Sequence, residues 1–204
     1  MDDSIAKRIK DRIKEIEQGG IVTIRDFDDI QNNAVVRKTL SRLVFEGKLN
    51  RIANGIYTVP KETAFGLLNP SLNDIAHAIA KKESINIIPS GETALNVLGL
   101  STQVPMKAIY LTEGYSRTYK VGKREIVFRK STHKNFQFKS NLMNLLTIAL
   151  KQLGEQSLTK DNILTIEGLI SKSSLEEKTM MEEDLNLSPR WIKNLLLPMV
   201  NDTK

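Results

Sequence analysis

The stretch from residue 33 to residue 60, NAVVRKTLSRLVFEGKLNRIANGIYTVP, decides which fold the sequence predicts. Its first half has the periodicity of an amphipathic helix. Four apolar residues recur at the i, i+4, i+7 and i+8 spacing of a buried helical face: Val36, Leu40, Leu43 and Val44. Asn33 is the predicted N-cap, and Gly47 stands where a residue with positive φ would end the helix.

The second half of the stretch predicts a tight β-hairpin. Two short strand-like runs, residues 48–52 and 56–59, are joined by Asn54-Gly55. Asn-Gly is the dipeptide that most readily adopts the type I′ turn of a two-residue hairpin. We expect Ile56 and Tyr57 to anchor the hairpin to the protein core.

Two further helices are predicted before this stretch. The first covers residues 4–18, with an isoleucine stripe on one face, and Gly19-Gly20 ends it. After a short strand at residues 21–24, Thr23 and Asp26 resemble a capping box that opens a second helix near residues 25–30. Helices followed by a basic hairpin are the layout of a winged helix-turn-helix, which places its last helix in the DNA major groove and its hairpin on the backbone.

The exposed face of the last of these helices and the hairpin tip supply the predicted DNA contacts. Arg and Lys pair with guanine edges or phosphates, Asn pairs with adenine, and Ser contacts are permissive. The alternative reading is a solvated face on an ordinary small helix. The candidate DNA-binding residues are Asn33, Arg37, Lys38, Ser41, Arg42, Arg51 and Asn54.

The rest of the chain predicts a mixed domain that ends in helices. Strand-like runs cover residues 85–88, 108–112, 118–121 and 124–128, and Ser90 is the predicted cap of a helix over residues 91–98. We therefore expect an α+β protein, with a winged helix-turn-helix over residues 1–62 and a mixed α/β effector domain over residues 63–204. The strand-containing part covers about 69–138 and the helical part about 139–204.

Composition and charge narrow the function classes. The 204 residues contain no cysteine and carry a net charge of +6, which weakly favours a polyanionic partner. No apolar run approaches the roughly 20 residues of a membrane span, and the N-terminus lacks a signal-peptide core, so we expect a cytoplasmic protein without a membrane partner. Residues 107–139 have a net charge of +7 and residues 155–184 a net charge of −5.

The basic middle segment is a second candidate nucleic-acid contact. Three aromatic residues of this segment, Phe128, Phe136 and Phe138, lie among lysines and arginines in the sequence. Aromatic rings in such a setting can form a stacking platform for single-stranded nucleic acid. The alternative is that the same rings form the core of a strand. The candidate cations are Arg117, Lys120, Lys123, Arg124, Arg129 and Lys130.

Nothing in the sequence has the spacing of a catalytic or metal site. His77 and His133 are far apart and lack the neighbours of H-x-E or H-E-x-x-H motifs, and no G-x-S-x-G elbow or phosphate loop is present. We therefore expect no enzymatic activity, no catalytic residue, no cofactor and no metal.

Two blocks of this sequence resemble the AbiEi-like antitoxins, a family of prokaryotic regulators. The first block holds L-S-R-L, a Gly-Lys pair and R-I-x-x-G-I-Y-x-x-P, at residues 40–43, 47–48 and 51–60. The second is similar to S-G-x-x-A-x-N-x-L-G-L-S-T-Q-V-P, at residues 90–105.

This resemblance implies a type IV antitoxin of the abortive-infection, phage-defence kind. Such a protein would repress its own operon through double-stranded operator DNA and counteract a nucleotidyltransferase-like toxin without a stable complex. The basic segment would contact operator flanks or an RNA shared with the toxin. The alternative function is a protein-interaction module that inhibits a partner directly, with the winged helix as scaffold.

Overall fold

The chain has a mixed α/β fold. The structure, a computed structural model, describes residues 2–64, 66–68 and 70–201, with side chains from Ser4 onward. Met1, Phe65, Asn69 and residues 202–204, which the predicted domains include, lie outside the described residues. The described residues form eight α-helices and nine short strands, so the predicted mixture of helices and strands is confirmed. None of these helices has both the length and the apolar character that a membrane crossing requires.

The chain divides into two compact units. The first consists of Met1–Ile85 with Tyr119–Ile126, and the second of Asn86–Thr118 with Val127–Lys204. The elements up to residue 85 are α1 (Asp2–Lys14), β1 (Ile21–Thr23), α2 (Asn33–Phe45), β2 (Asn50–Ala53), β3 (Ile56–Thr58), β4 (Glu62–Thr63), β5 (Gly66–Leu67) and α3 (Leu72–Glu83). A 3-10 helix at Ile24–Phe27 replaces the longer second helix that the sequence predicted.

The first unit is built around a small antiparallel sheet in the order β1-β3-β2. Helices α1 and α2 and the 3-10 helix pack on this sheet, and Phe27, Val36 and Leu40 in the core between them have no solvent exposure. The predicted capping box is present, because the Asp26 carboxylate accepts hydrogen bonds from the Thr23 backbone N–H at 2.7 Å and the Thr23 hydroxyl at 3.0 Å. These contacts fix where the chain turns from β1 into the 3-10 helix.

The first compact unit extends past the predicted domain limit at residue 62. Helix α3 packs against β1, and its last turn is tied to the same unit by two lysines. The Lys81 ammonium pairs with the Asp26 carboxylate at 3.2 Å, and the Lys82 ammonium donates to the Asn54 carbonyl oxygen at 2.6 Å. These long-range contacts have no signature in the local sequence, which is why the unit is larger than the predicted domain.

The second unit is mainly helical toward its C-terminal end. The remaining elements of the chain are β6 (Ile87–Pro89), α4 (Glu92–Val97), β7 (Lys107–Thr112), β8 (Arg117–Val121), β9 (Arg124–Lys130), α5 (Asn141–Leu153), α6 (Lys160–Ser171), α7 (Leu175–Asp184) and α8 (Arg190–Asn201). Its core is formed by apolar residues of α4 to α8, among them Leu146, Ile166 and Leu196. The N-cap of α4 is Gly91, whose φ of +57° favours glycine, and not Ser90 as predicted.

Strands β6 to β9 are ordered β6-β7-β9-β8 in one sheet. Phe128 on β9 is fully buried and meets Tyr110 on β7 edge to face, with ring centroids 6.0 Å apart. Phe136 lies in a 3-10 helix, and Phe138 packs against the helical core. The stacking-platform interpretation is therefore wrong for Phe128, because a base cannot stack on a ring that solvent does not reach.

A buried polar contact holds the start of α5. The Asp184 carboxylate, at the end of α7, accepts a hydrogen bond from the Ser140 backbone N–H at 2.7 Å. The Ser140 hydroxyl caps α5 by accepting from the Met143 N–H and donates to Glu177 at 2.6 Å. Ser140 and Asp184 are both buried, so their polar groups satisfy one another in place of water.

Candidate nucleic-acid interface

Helix α2 presents a buried face to the core and a polar face to solvent. Its buried residues are Val36, Thr39, Leu40 and Leu43, in agreement with the predicted stripe. The N-cap is Asn32, whose side-chain oxygen accepts from the Val35 N–H at 3.2 Å, so the predicted cap at Asn33 is one residue too late. Gly47 ends the helix with a φ of +71°, as predicted. The five candidate residues on α2 are all exposed: Asn33, Arg37, Lys38, Ser41 and Arg42.

The β2–β3 hairpin follows α2 in the same unit and confirms the predicted strands. Ile56 and Tyr57 are buried, as expected for residues that anchor the hairpin to the core. The turn at Asn54-Gly55 is not type I′, because only Gly55 has a positive φ and type I′ requires it at both central residues. The Asn54 side chain instead accepts a hydrogen bond from the Arg51 guanidinium at 3.1 Å. This contact ties the hairpin's main cation to its turn.

A cleft of about 340 Å³ lies where α2, the hairpin, the 3-10 helix and the end of α3 meet. We call it the basic cleft, because its lining among the described residues contains four cations and no carboxylate. Its lining residues are Ile24, Arg25, Arg37, Ser41, Arg51, Asn54, Tyr57 and Lys82. Four of the seven predicted DNA-binding residues meet there, namely Arg37, Ser41, Arg51 and Asn54. The other three, Asn33, Lys38 and Arg42, lie on α2 but do not line the cleft.

The candidate cations differ in whether an acid neutralises them. Within the described part of the chain, Arg37 and Lys38 form no ion pair or hydrogen bond through their side chains, and Arg51 bonds only to the neutral Asn54 side chain. Arg42 instead faces Glu46 at 3.6 Å. Lys48 also binds Glu46, at 2.9 Å, and lowers the pKa of that carboxyl. The charge available to an external anion is therefore concentrated at the N-terminal half of α2 and on the hairpin.

The sequence did not predict two of the four cations of the basic cleft. Arg25 comes from the 3-10 helix and donates to the Ser84 hydroxyl and, at 3.5 Å, to the Lys81 carbonyl oxygen. Lys82 comes from α3, 28 residues after its partner Asn54. The only local signal was the pair of lysines in the last turn of α3, where cations are common for reasons of the helix dipole alone.

The six cations predicted on the β8–β9 hairpin fall into both compact units. Lys120, Lys123 and Arg124 belong to the first unit, which also contains α2 and the basic cleft. Arg117, Arg129 and Lys130 belong to the second. Lys120, Lys123, Arg124 and Arg129 have no acidic partner among the residues described.

The histidines do not join a site of the metal-binding kind. His77 is exposed on α3, and His133 pairs with Glu113 at 2.8 Å. No group of three or more His, Cys, Asp or Glu side chains is placed to hold a metal ion within the described ranges.

Comparison with known proteins places the chain in a family. The sequence profile of DUF6088, described as a family of unknown function, matches residues 8–178. The chain belongs to DUF6088. No curated protein matches this DUF6088 member. Among solved structures, it is similar to the crystal structure of the RV2827C protein from Mycobacterium tuberculosis, with 10% sequence identity and a TM-score of 0.43. That likeness covers 96% of this chain and 75% of the other.

Proposed function

We propose that this DUF6088 protein is a sequence-specific DNA-binding repressor whose first unit contains a winged helix-turn-helix. The chain order of its elements supports the assignment, since α1, β1, the 3-10 helix and α2 precede the β2–β3 hairpin. The three-stranded β1-β3-β2 sheet holds that hairpin beside the helices. In this fold α2 is the helix that enters the DNA major groove, and the hairpin lies along the phosphate backbone.

One observation carries the proposal. Arg37, Lys38 and Arg51 are exposed on α2 and the adjacent hairpin, and no acidic side chain within the described residues neutralises them. Unpaired cations repel one another, and a polyanion that binds them releases its condensed counterions. A solvated helix face of mixed charge would instead pair its cations with neighbouring acids, as Arg42 pairs with Glu46.

We expect the Arg37→Ala/Lys38→Ala double variant to bind the DNA upstream of its own gene about 100-fold more weakly than the unaltered protein. The double change removes two charge-assisted contacts, and about 1.5 kcal/mol for each, the lower end of the usual range, corresponds to a loss of this order. Fluorescence anisotropy with a labelled duplex, over a series of salt concentrations, measures both the affinity and its salt dependence. The salt dependence should become shallower in the variant, because fewer phosphates are neutralised.

The matched control is Lys160→Ala/Lys172→Ala, which removes two exposed positive charges from the second unit. Its affinity should stay within about twofold, since neither lysine belongs to the proposed interface. Equal binding of upstream and random duplexes by the unaltered protein contradicts the repressor proposal. That result would favour the protein-interaction module, which predicts a partner retained at high salt.

We further propose that the protein is an antitoxin, as its resemblance to the AbiEi-like family implies. The neutralising activity would belong to the second unit. Helix α2 and the β2–β3 hairpin belong to the first unit. Repression and neutralisation would then depend on different residues. The cations of the β8–β9 hairpin are candidates for contacting operator flanks or an RNA.

Co-expression tests the antitoxin proposal separately from DNA binding. When expressed from an unrelated promoter, the protein should restore growth to cells that express the nucleotidyltransferase-like toxin of its operon. The Arg37→Ala/Lys38→Ala variant should rescue equally well, because an unrelated promoter removes the need for repression. Growth curves and colony counts measure the effect. Absence of rescue by the unaltered protein at matched expression levels contradicts the antitoxin proposal and leaves the repressor proposal standing.

A further inference from the structure

One lysine of the basic cleft, Lys82, comes from α3 and not from α2 or the β2–β3 hairpin, the two elements of the proposed DNA-binding surface. Lys82 is half-buried at the end of α3, and its ammonium donates to the Asn54 carbonyl oxygen at 2.6 Å. An ammonium has three donors, so two remain for another acceptor. The Asn54 side chain accepts from Arg51 at 3.1 Å. Two cations from different elements therefore converge on the same turn residue.

The remaining two cations of the cleft, Arg37 and Arg25, come from different elements. Arg37 lies on α2 without a partner among the residues described, and Arg25 is held by the end of α3 through the Lys81 carbonyl oxygen at 3.5 Å and the Ser84 hydroxyl. All the N–H donors of the Arg37 guanidinium are therefore available to a bound group, whereas Arg25 already donates to groups at the end of α3. No carboxylate of a described residue lines the cleft.

The four cations of the basic cleft require an anion to offset their mutual repulsion. Four positive charges around one cleft repel each other, and the cleft's other polar groups are the neutral Ser41, Asn54 and Tyr57 side chains. An anion with several oxygen acceptors would relieve the repulsion and use the unpaired donors together. A phosphate group has that charge and those acceptors, and arginine binds it with fixed geometry while lysine binds it as a point charge.

We propose that the basic cleft binds one phosphate group of the DNA backbone, and that Lys82 contacts this phosphate directly. The source of the phosphate rests on the proposed DNA-binding function, whereas the anion site itself does not. Helix α3 thereby becomes part of the DNA-binding surface. The cleft contributes affinity and registers the hairpin on the backbone, but it carries no sequence information, because phosphates are the same at every step.

Lys82→Met tests this proposal, with Lys81→Met as its matched control. Both changes remove one positive charge from the last turn of α3, but Lys81 pairs with Asp26 and does not line the cleft. We expect Lys82→Met to weaken binding of specific and random duplexes alike by about tenfold and to reduce the salt slope by about one. Lys81→Met should change neither quantity, and thermal melting should show that both variants are folded.

A second measurement examines the anion site without DNA. Inorganic phosphate is titrated into the full chain, with chloride at matched ionic strength as the reference, and backbone amide shifts are followed by NMR. The Gly55 and Ser41 amides should shift in a saturable way, with half-saturation at about 10 mM or below, the range of weak single-ion binding. The shifts should be lost in Lys82→Met and kept in Lys81→Met.

Each outcome decides the proposal. Equal effects of Lys82→Met and Lys81→Met on DNA binding overturn it, and so does a loss of affinity with an unchanged salt slope, which would make Lys82 only a positioning residue. If the unaltered protein binds no duplex at all, the proposed function fails and the titration decides the anion site. Saturable shifts lost in Lys82→Met would then assign the cleft to free phosphate, whereas absent shifts would overturn it.

Discussion

Replacement of Phe128 by alanine is expected to lower the free energy of unfolding of the second unit by about 3–5 kcal/mol, the usual cost of removing a buried aromatic side chain. Phe128 has no solvent exposure and packs edge to face on Tyr110. The change leaves a cavity and removes the aromatic contact. Urea unfolding followed by the fluorescence of Trp191, the only tryptophan of the chain and a residue of the second unit, measures the loss.

Tyr115→Ala is the matched control, because the Tyr115 side chain lies in the same unit and is 73% exposed. Its effect should stay within about 0.5 kcal/mol, as is usual for surface positions. A Phe128→Ala protein of normal stability that has lost affinity for single-stranded nucleic acid would show that the ring is a stacking surface and would contradict its burial in the sheet. The comparison therefore separates the two sequence-based interpretations of this residue.

Replacement of Gly55 by alanine is expected to destabilise the first unit by about 2–4 kcal/mol, combining left-handed backbone strain with overpacking. Gly55 has a φ of +72°, and an added Cβ would lie 2.9 Å from Ile24 Cδ1 and 3.1 Å from Lys82 Nζ. Both atoms are the ends of their side chains, so Ile24 and Lys82 must each shift to admit the new methyl group. Native-state hydrogen exchange of the amides of β1 and β3 measures the stability of this unit.

Gly47→Ala supplies a control that isolates the backbone term. Gly47 has nearly the same φ, +71°, but apart from its sequence neighbours no described residue has a heavy atom within 4 Å of its added Cβ. We expect this variant to lose about 1–2 kcal/mol, the cost of the left-handed conformation alone. Equal losses in the two variants would mean that Ile24 and Lys82 yield without cost, and that the turn is less tightly packed than the structure indicates.

The sequence predicted those residues of the candidate site that lie within one stretch of chain with a recognisable pattern. Arg37, Ser41, Arg51 and Asn54 were found because a helical period and an Asn-Gly turn place residues on known faces within one stretch of chain. Arg25 and Lys82 were missed because each enters the cleft through a contact made across the fold. The Lys82 contact with Asn54 joins residues 28 positions apart, and the Arg25 contact with the Lys81 carbonyl oxygen joins residues 56 positions apart.

The exact start of α2 and the type of the hairpin turn were also decided by the folded structure and not by the local sequence. The helix over residues 33–45 was predicted, but its cap is Asn32, since two consecutive asparagines offer the same chemistry and only geometry chooses between them. The Asn-Gly turn was predicted correctly, but the predicted type, I′, is wrong. Asn54 keeps a negative φ while its carbonyl oxygen accepts from Lys82 and its side chain accepts from Arg51. The hydrogen bonds of Asn54 with Lys82 and Arg51 thus outweigh the preference of the Asn-Gly dipeptide for a type I′ turn.

The sequence by itself determined the mixture of helices and strands, the buried face of α2, the glycine that ends it and the positive charge of the hairpin and the middle segment. These depend on periodicity, turn chemistry and composition, which act over a few neighbouring residues. The tertiary structure alone decided that Phe128 is core, that α3 belongs to the first unit, and that Arg25 and Lys82 line the basic cleft. Such features depend on which distant surfaces pack together, and no short stretch of chain encodes that.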